Sequence, residues 1–469
     1  MKFLYRRSLV LLSVLLPSLS FAANFDGSRL NLLWAFPFAG ILLSIALMPL
    51  IVPGFWHHHF GKVSAAWTLA FFLPFGYFFG VGAAGASLVH AMLAEYLPFI
   101  ILLTALYVVA GGIYIRGSLH GSPALNCILL LIGVVLASFM GTTGASMLLI
   151  RPLISANDNR LHKTHLMVFF IFLVSNAGGA LTPLGDPPLF LGFLKGVDFF
   201  WTARHIFPET LFMVFSLLAI FYIIDSYYFK KEGVLLVDPT PDTKQIGFDG
   251  SANFWLLGAA AGLVLMSGTW KSPVAIDVAG TVVGLPGIVR DIGLILITLI
   301  SLRITAKSVH EGNQFSWAPM QEVAKLFVGI FLTIIPVIAM LQAGANGPFS
   351  GIVTGINRPD GSPDPMMYFW ATGLLSSLLD NAPTYLVFFN TAGGDPKVLM
   401  TTLAPTLAAI SAGAVFMGAN SYIGNAPNLM VKAVAEDRGV TMPSFFGYMA
   451  WSCAILIPLF TIMTFIWFK

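Results

Sequence analysis

The sequence predicts an all-α polytopic membrane protein made of two inverted five-helix repeats, each with a re-entrant hairpin and a broken transmembrane helix. Hydrophobic residues make up 57% of the 469 residues and charged residues only 10%, whereas soluble domains carry about 25% charged residues. Apolar runs long enough to cross a bilayer succeed one another along the chain. Two of these runs are interrupted by Gly, Pro and Asn at corresponding places in the two halves, which indicates an internal repeat.

The composition also excludes several classes of protein. The formal net charge is only +3 and no basic cluster occurs, so nucleic acid is not an expected partner. Cys127 and Cys453 are isolated in apolar runs, which argues against a disulfide framework or a metal cluster. The lipid bilayer is therefore the expected surrounding of most of the chain.

Residues 1–23 have the three-part pattern of a cleavable signal peptide, and an uncleaved first helix is the alternative. Lys2, Arg6 and Arg7 precede an apolar run, which ends in small residues up to Ala23. If the segment is cleaved, the mature N-terminus lies in the periplasm. The expected location is then a bacterial-type inner (cytoplasmic) membrane, crossed several times.

The first repeat is expected over 24–225. Three spans come first, at about 30–52, 63–84 and 87–115, with a short loop at His57-His58-His59. The run at about 122–154 has basic residues at both ends and Gly141-Thr142-Thr143-Gly144 in its middle, which predicts a hairpin with its tip at Thr142-Thr143. A broken helix at about 162–195 and one more span, from about 205 to 225, complete the repeat.

The second repeat, expected over 252–469, follows a polar cytoplasmic linker at 226–251 and has the same order of elements. Its parts are spans near 252–270, 287–303 and 321–342, a polar loop at 343–365, a hairpin at about 366–392, a broken helix at about 398–436 and a last helix at 445–468. Five crossings in each repeat is an odd number, so the halves must be inserted upside down relative to each other. This arrangement places more Lys and Arg in the cytoplasm than outside, as the positive-inside rule requires.

The interruptions are the main evidence for a functional site. Gly loosens a helix and Pro removes a backbone donor, and unpaired backbone groups at membrane depth are tolerated only where they line a cavity. Thr143 precedes Gly185 by 42 residues and Asn381 precedes Gly424 by 43, so the interruptions are similarly spaced in the two halves. The residues expected to break the helices are Gly178, Gly179, Gly185, Pro187, Pro188, Pro383, Gly424 and Pro427.

Two carboxylates, Asp186 and Asp380, accompany these interruptions, and neither has Lys or Arg in its own stretch. Burial penalises an ionised carboxylate and a bound cation favours it, so each is expected to hold a proton or a cation in alternation. Oxygen ligands suit a hard cation such as Na⁺. The candidate ligands are Thr142, Thr143, Asn176, Thr182, Asn381, Thr384, Asn420, Ser421 and Asn425.

Three alternatives stay open for these residues. Asp186 and Asp380 also suit the N-caps of the half-helices that follow them. The Asn, Ser and Thr side chains also suit local backbone groups. The N-terminal end of a half-helix attracts an anion, so an anionic substrate is compatible with a site that has no Arg.

The interrupted stretches resemble the ion transporter superfamily. SNAGGALTPLGDPP resembles its SNAGGxxxPxGD pattern, SLLDNAPTYLVFF its DNxPT hairpin element and GANSYIGNAPN its second unwound helix. Within the superfamily the chain looks like the NhaD-like sodium/proton antiporters and the citrate-transporter-like relatives. The resemblance implies a homodimer with a scaffold and a mobile transport domain that works as an elevator. It also carries the ion-site role onto Asp186, Asp380, Asn381 and Thr384.

The sequence therefore predicts a secondary transporter that exchanges Na⁺ for H⁺, with Na⁺ bound at Asp380 and Asp186. The alternative is Na⁺- or H⁺-coupled transport of citrate or another organic anion. The hairpin tips differ from the Ser-Asn-Thr tips of the dicarboxylate branch, which disfavours that substrate class. No enzyme is expected, because the motifs are helix breakers rather than a nucleophile with its base. No cofactor is expected beyond Na⁺ and H⁺ as transported or coupling ions.

Overall fold

The computed structural model describes residues 26–117, 119–233 and 247–469, and most of these are helical. By length and composition, eight of the described helices are able to cross a membrane, or nine if one bent pair counts as a single span. The predicted multi-pass, helical character is therefore confirmed. The predicted signal peptide at 1–23 lies outside the described residues.

Four helices form the N-terminal part, with a π-helical turn at Ala91–Tyr96 between the third and the fourth. They are α1 (Phe36–Ile51), α2 (Pro53–Phe79), α3 (Val81–His90) and α4 (Leu97–Gly111). The predicted loop at His57-His58-His59 is wrong, because all three residues lie inside α2. Pro53 presets the first turn of that helix, and ring nitrogens of His58 and His59 lie 2.8 and 3.1 Å from the carbonyl oxygens four residues earlier.

The helix α5 (Pro123–Ser155) is bent back on itself at Gly141, which has φ 80° and ψ 152°. A straight helix of 33 residues would be about 50 Å long. Instead, the N–H of Gly121 donates to the carbonyl of Ala156 at 2.5 Å, so the two ends of the segment meet. Glycine is suited to the apex because it adopts positive φ without a Cβ clash. The two arms of α5 are called the first hairpin below.

A broken span follows the first hairpin and continues into a long helix. The elements are α6 (Thr164–Leu173), a 3₁₀ turn (Ala177–Gly179), α7 (Pro187–Leu194), α8 (Trp201–His205) and α9 (Phe207–Glu232). The linker was predicted to begin at residue 226, and this boundary is wrong because α9 continues to Glu232. Residues 234–246 of the predicted linker lie outside the described ranges. The helix extends further because Asp225 is buried in an ion pair and Lys230 and Lys231 complement the negative end of the helix dipole.

Among the described residues, four short strands lie between residues 114 and 284, and the all-α prediction missed them. They are β1 (Tyr114–Arg116) paired with β2 (Gly247–Asp249), and β3 (Ala275–Val278) paired with β4 (Thr281–Gly284), both antiparallel. Ala279 and Gly280 join β3 to β4 with φ of 52° and 84°. Two successive positive φ values are typical of a tight hairpin turn, and the β-branched residues of β3 and β4 favour strands.

Six helices accompany these strands. They are α10 (Ala252–Thr269), α11 (Leu285–Ile304), α12 (Lys307–Gly312), α13 (Ala318–Thr333), α14 (Ile335–Gln342) and α15 (Ser350–Ile356). The span predicted at 321–342 is bent by 42° between α13 and α14, where Pro336 removes a backbone donor. The loop predicted at 343–365 contains α15 and a 3₁₀ turn at Gly344–Asn346.

A second hairpin and a second broken span complete the chain. The elements are α16 (Pro365–Leu378), α17 (Asn381–Thr391), α18 (Pro396–Met400), α19 (Ala404–Met417), a 3₁₀ turn (Gly418–Asn420), α20 (Ala426–Asp437) and α21 (Phe445–Trp467). The rings of Tyr368 and Phe388, near the open ends of α16 and α17, lie 6.2 Å apart. These two helices therefore form the second hairpin. The domain boundaries and the inverted relation of the halves stay predictions.

A buried ion network, which sequence reasoning missed, fastens α9 to the loop after the first hairpin. Arg160 lies 2.6 Å from the carboxylate of Asp225, and both side chains are fully buried. The same carboxylate contacts His165 at 2.8 Å and accepts from Asn126 at 2.9 Å. Glu232 lies 3.5 Å from the other side of the guanidinium. The network connects the first hairpin, α6 and α9 at one end of the helices.

The broken spans are packed so closely that a methyl group does not fit at their glycines. A Cβ on Gly185 would lie 2.3 Å from the carbonyl oxygen of Gly179, and a Cβ on Gly424 would lie 2.5 Å from that of Gly418. We therefore expect Gly185→Ala to lower the free energy of unfolding by about 3 kcal/mol, near the upper end of the usual cost of overpacking. Thermal melting of the detergent-solubilised protein measures this.

Gly258→Ala in α10 is the matched control, because no atom beyond its two chain neighbours and the backbone of its own helix lies within 4 Å of its Cβ position. Alanine in a helix interior is favoured over glycine by about 1 kcal/mol, so this variant should melt no lower than the wild type. Equal melting temperatures for Gly185→Ala and Gly258→Ala would contradict the close packing of the break.

Candidate functional site

A cleft lies between the helices α4 and α13 and the two interrupted regions. It encloses about 860 Å³ when the open space at its mouth is included. The polar side chains in its wall are Tyr107, Thr142, Thr143, Asp186, Asp380 and Asn425. Most of the remaining wall is apolar, and no Lys, Arg or His side chain of the described ranges lines it.

Asp186 is the most deeply buried carboxylate of this cleft, with 1% of its surface exposed. Its Oδ1 accepts from the Thr142 hydroxyl at 3.0 Å and from Asn425 Nδ2 at 3.1 Å. Its Oδ2 accepts from Asn381 Nδ2 at 2.6 Å. All three donors are neutral, and two of them come from the second half of the chain. Acceptance at both oxygens suits the ionised carboxylate, which has no proton to donate.

The backbone of the break determines where this carboxylate points. Asp186 is extended, with φ −142° and ψ 143°, as expected for a residue that precedes proline. The N–H of Thr142, at the hairpin tip, donates to the carbonyl of Gly185 at 2.9 Å. The side chain of Asp186 makes no capping bond to α7, so the capping alternative is wrong for this residue. Its carboxylate instead lines the cleft and accepts from the three side-chain donors.

Asp380 lies at the tip of the second hairpin and lines the same cleft. Its Oδ1 accepts from the N–H of Ala382 at 3.0 Å, so the capping alternative is correct for Asp380. Thr384 donates to the carbonyl of Asp380 at 2.9 Å and does not line the cleft. The structure therefore places Asp380, but not Thr384, in the wall of the cleft.

Most of the other predicted oxygen ligands fasten the breaks to the hairpins instead of lining the cleft. Thr182 donates to the carbonyl of Ser138, and Ser421 to the carbonyl of Ser377, both at 2.5 Å. Asn420 Nδ2 donates to the hydroxyl of Ser377 at 2.9 Å. Asn176 bonds to main-chain and amide groups behind Asp186. Thr142, Thr143 and Asn425 are the predicted ligands that do line the cleft.

The two interrupted regions repeat the same contacts at a constant separation. Asn425 lies 239 positions after Asp186, and Ser421 and Ser377 stand at the same separation from Thr182 and Ser138. Asp380 corresponds in this way to Gly141. Each half therefore contributes one carboxylate from a different place, Asp186 from a break and Asp380 from a hairpin tip.

This arrangement has the chemistry of a cation or proton site beside a place for an anion. Carboxylate, hydroxyl and amide oxygens are ligands that hard cations prefer. The half-helices α7 and α20 begin at Pro187 and Ala426, which both line the cleft. The positive ends of their helix dipoles therefore lie at its wall, where they stabilise negative charge.

Comparison with known sequences agrees with one of the two predicted resemblances. A search of curated proteins gives no match to this chain. The family described as "Putative citrate transport" matches residues 27–468. The match supports the predicted citrate-transporter-like relatives and does not single out the sodium/proton antiporters. Because it covers nearly the whole chain, this multi-pass membrane protein belongs to that citrate transport family.

Proposed function

We propose that the protein is a secondary transporter that carries citrate or a similar organic anion across the membrane together with Na⁺ or H⁺. The observation that carries this proposal is Asp186, a buried carboxylate with only neutral donors in the wall of the cleft. Membership of the citrate transport family supports the anionic substrate. The predicted exchange of Na⁺ for H⁺ alone becomes the second candidate.

The two carboxylates of the cleft supply a reason for coupling. An anion that enters beside ionised Asp186 and Asp380 is repelled, and the repulsion is strong where water is scarce. A cation or proton at Asp186 removes part of that repulsion and lets the helix dipoles of α7 and α20 hold the anion. Each ligand then raises the affinity for the other, which is the thermodynamic requirement for coupled transport.

The proposal includes movement of the site relative to a scaffold. The repeated contacts 239 positions apart support two inverted repeats, and the hairpins with the broken spans are the proposed transport domain. Polar contacts join this part to the proposed scaffold, among them the bond that Gln342 of α14 donates to Asn390 of the second hairpin at 2.9 Å. Lys195 at the end of α7 is paired with Glu95 of the π-helical turn, and Arg151 donates to Gln314 at 2.9 Å. The homodimer, the inner-membrane location and the periplasmic N-terminus remain predictions.

Uptake of labelled citrate by proteoliposomes that contain the full-length protein tests this function. We expect accumulation under an inward Na⁺ gradient or an inward H⁺ gradient, and only slow equilibration when both gradients are absent. Liposomes without protein are the control. Equal, slow uptake with and without the gradients would contradict coupled citrate transport.

Exchange of Na⁺ for H⁺ is the second candidate because no basic side chain of the described ranges lines the cleft. In the same liposomes, NaCl is added without citrate and the lumenal pH is recorded. A pH change that depends on Na⁺, together with no citrate uptake, would favour the antiporter. Citrate uptake with no such pH change would favour the citrate transporter.

A further inference from the structure

Three asparagine side chains form a continuous chain of hydrogen bonds behind Asp186. Asn425 Nδ2 donates to Asp186 at 3.1 Å and lies 3.3 Å from Asn176 Oδ1. Asn176 Nδ2 donates to Asn428 Oδ1 at 2.8 Å. Asn428 Nδ2 donates to the carbonyls of Gly418 and Ser421, both at 2.9 Å. We call Asn425, Asn176 and Asn428 the amide relay; it alternates between the second and the first broken span.

Only one orientation of the three amide groups in the relay is favourable. A main-chain carbonyl accepts hydrogen bonds and never donates them, so Asn428 must turn its NH₂ group toward the second break. Its Oδ1 then faces Asn176, which must present its own NH₂ group. Asn176 Nδ2 also donates to the carbonyl of Ile171 at 2.8 Å, which favours the same orientation. The Oδ1 of Asn176 is left to face Asn425, and the carbonyl of Ser175 also accepts from Asn425 Nδ2 at 3.1 Å. Both acceptors favour the orientation in which Asn425 presents its NH₂ group to Asp186.

We propose that Asn176 and Asn428 are positioning residues that keep Asn425 oriented as a hydrogen-bond donor to Asp186. This inference rests on the proposed function, in which Asp186 takes up the coupling cation or proton. Neither residue lines the cleft, and both side chains are fully buried. They therefore act on the site through Asn425 rather than by contact with substrate.

The orientation has a consequence for the chemistry of Asp186. A donor at 3.1 Å stabilises the ionised carboxylate, which is the form that binds a cation. A reversed amide would place an oxygen at that distance, and two oxygens so close are favourable only when one of them carries a proton. The relay thus helps to balance cation binding against protonation at Asp186. It also joins the two broken spans, so they are expected to move as one unit.

Asn176→Asp tests the inference, because it replaces the NH₂ group with an oxygen and leaves the shape unchanged. When its carboxyl group is protonated, Asp at 176 still donates one hydrogen bond, either to the carbonyl of Ile171 or to Asn428 Oδ1. Citrate uptake should therefore be near wild type at acid pH. When ionised, it has no donor for Ile171 or Asn428, and its negative oxygen competes with Asp186 for the NH₂ group of Asn425. We therefore expect citrate uptake, measured from about pH 5.5 to about pH 8.5, to fall at least tenfold below the wild type at the alkaline end.

Other titratable groups do not explain such a change. The charged groups on the elements that pack against the turn at Ala177–Gly179, and on α20, do not hydrogen-bond a member of the amide relay. They are Arg151, His165, Glu209, Asp225, Lys230, Lys231, Glu232, Lys432, Glu436 and Asp437. Asp380 lines the cleft on the other side of Asp186. Asp186 itself shares the NH₂ group of Asn425 with residue 176, and its negative charge adds to the loss when both carboxylates are ionised.

Asn390→Asp is the matched control. Asn390 is also buried and also donates to a main-chain carbonyl, that of Leu386 at 2.7 Å, but it lies in the second hairpin away from the amide relay. Its Oδ1 accepts from Gln342 Nε2 at 2.9 Å, and an aspartate keeps this acceptor. Its variant should keep the wild-type pH profile. Asn428→Asp, at the other end of the relay, should lose uptake at alkaline pH as Asn176→Asp does.

The outcomes separate this inference from the proposed function. If both relay variants keep the wild-type profile while Asp186→Asn is inactive, the positioning role is wrong and the proposed function stands. If Asp186→Asn transports citrate normally, Asp186 is not the coupling site and the inference about the amide relay is wrong with it, whereas gradient-independent uptake by the wild type would contradict the proposed function itself. Uniform loss at every pH, with protein that remains folded by size-exclusion chromatography, would show a general packing role and would also overturn the inference.

Discussion

Replacement of Asp186 by asparagine should abolish ion-coupled citrate uptake while the protein remains folded. The substitution keeps the shape of the side chain but removes the charge that attracts the cation. The new NH₂ group must also face hydrogen-bond donors, either Thr142 and Asn425 on one side or Asn381 on the other. Two donors at these distances repel each other. Loss of a buried charged partner typically costs 2–5 kcal/mol, so we expect uptake to fall by about a hundredfold or more.

Asp364→Asn is the control for this variant. Asp364 caps α16 by accepting from the N–H of Met366 at 3.0 Å, and asparagine caps a helix about as well as aspartate does. The control should therefore transport citrate at the wild-type rate. Amounts of reconstituted protein are matched by quantitative immunoblot. Near wild-type uptake by Asp186→Asn would remove Asp186 from the coupling site.

Loss of Arg160 should have the largest effect on stability. Its guanidinium and the carboxylate of Asp225 are both fully buried and lie 2.6 Å apart. In Arg160→Ala the carboxylate remains buried without its cationic partner, and such a change typically lowers the free energy of unfolding by about 3–5 kcal/mol. We expect a large fall in the melting temperature in detergent, or a strongly reduced yield of folded protein.

An exposed ion pair in the same chain provides the comparison. Arg116 lies 2.8 Å from Asp249, but these side chains are 62% and 38% exposed. Exposed pairs contribute about 0–1 kcal/mol, so Arg116→Ala should melt close to the wild type. If Arg160→Ala and Arg116→Ala melt at the same temperature, the buried network does not stabilise the fold as described.

The positions of the breaks and hairpins were predictable from the sequence because they depend on local backbone chemistry. Gly141 is the apex of the first hairpin, and Pro187 starts a new helix after Asp186. Proline and glycine impose such features whatever surrounds them. Thr142 and Asn425, two of the candidate ligands named from these interruptions, lie within hydrogen-bond distance of Asp186.

The partners of individual polar side chains were less predictable. Thr182 and Thr384 are of the right type for an ion ligand, yet they bond to main-chain carbonyls. Asn428 lies three residues after Asn425 and was not predicted to be part of the site. Spacing along the chain does not reveal which face of a short helix meets another segment, and these contacts join residues up to 252 positions apart.

The buried ion network was missed for a related reason. Asp225 looks like the end of a membrane span because charged residues are rare within one. In the structure its carboxylate is instead enclosed by groups that are distant in sequence, such as Asn126. Burial of that charge depends on Arg160, which lies in a polar stretch with no hydrophobic pattern.

A structure of the full-length protein determined with citrate and NaCl present would show whether the cleft is the substrate site. We predict citrate in the cleft between α4, α13 and the hairpin tips, with Asp186 and Asp380 in its wall. Citrate bound elsewhere, with this cleft empty, would contradict this prediction.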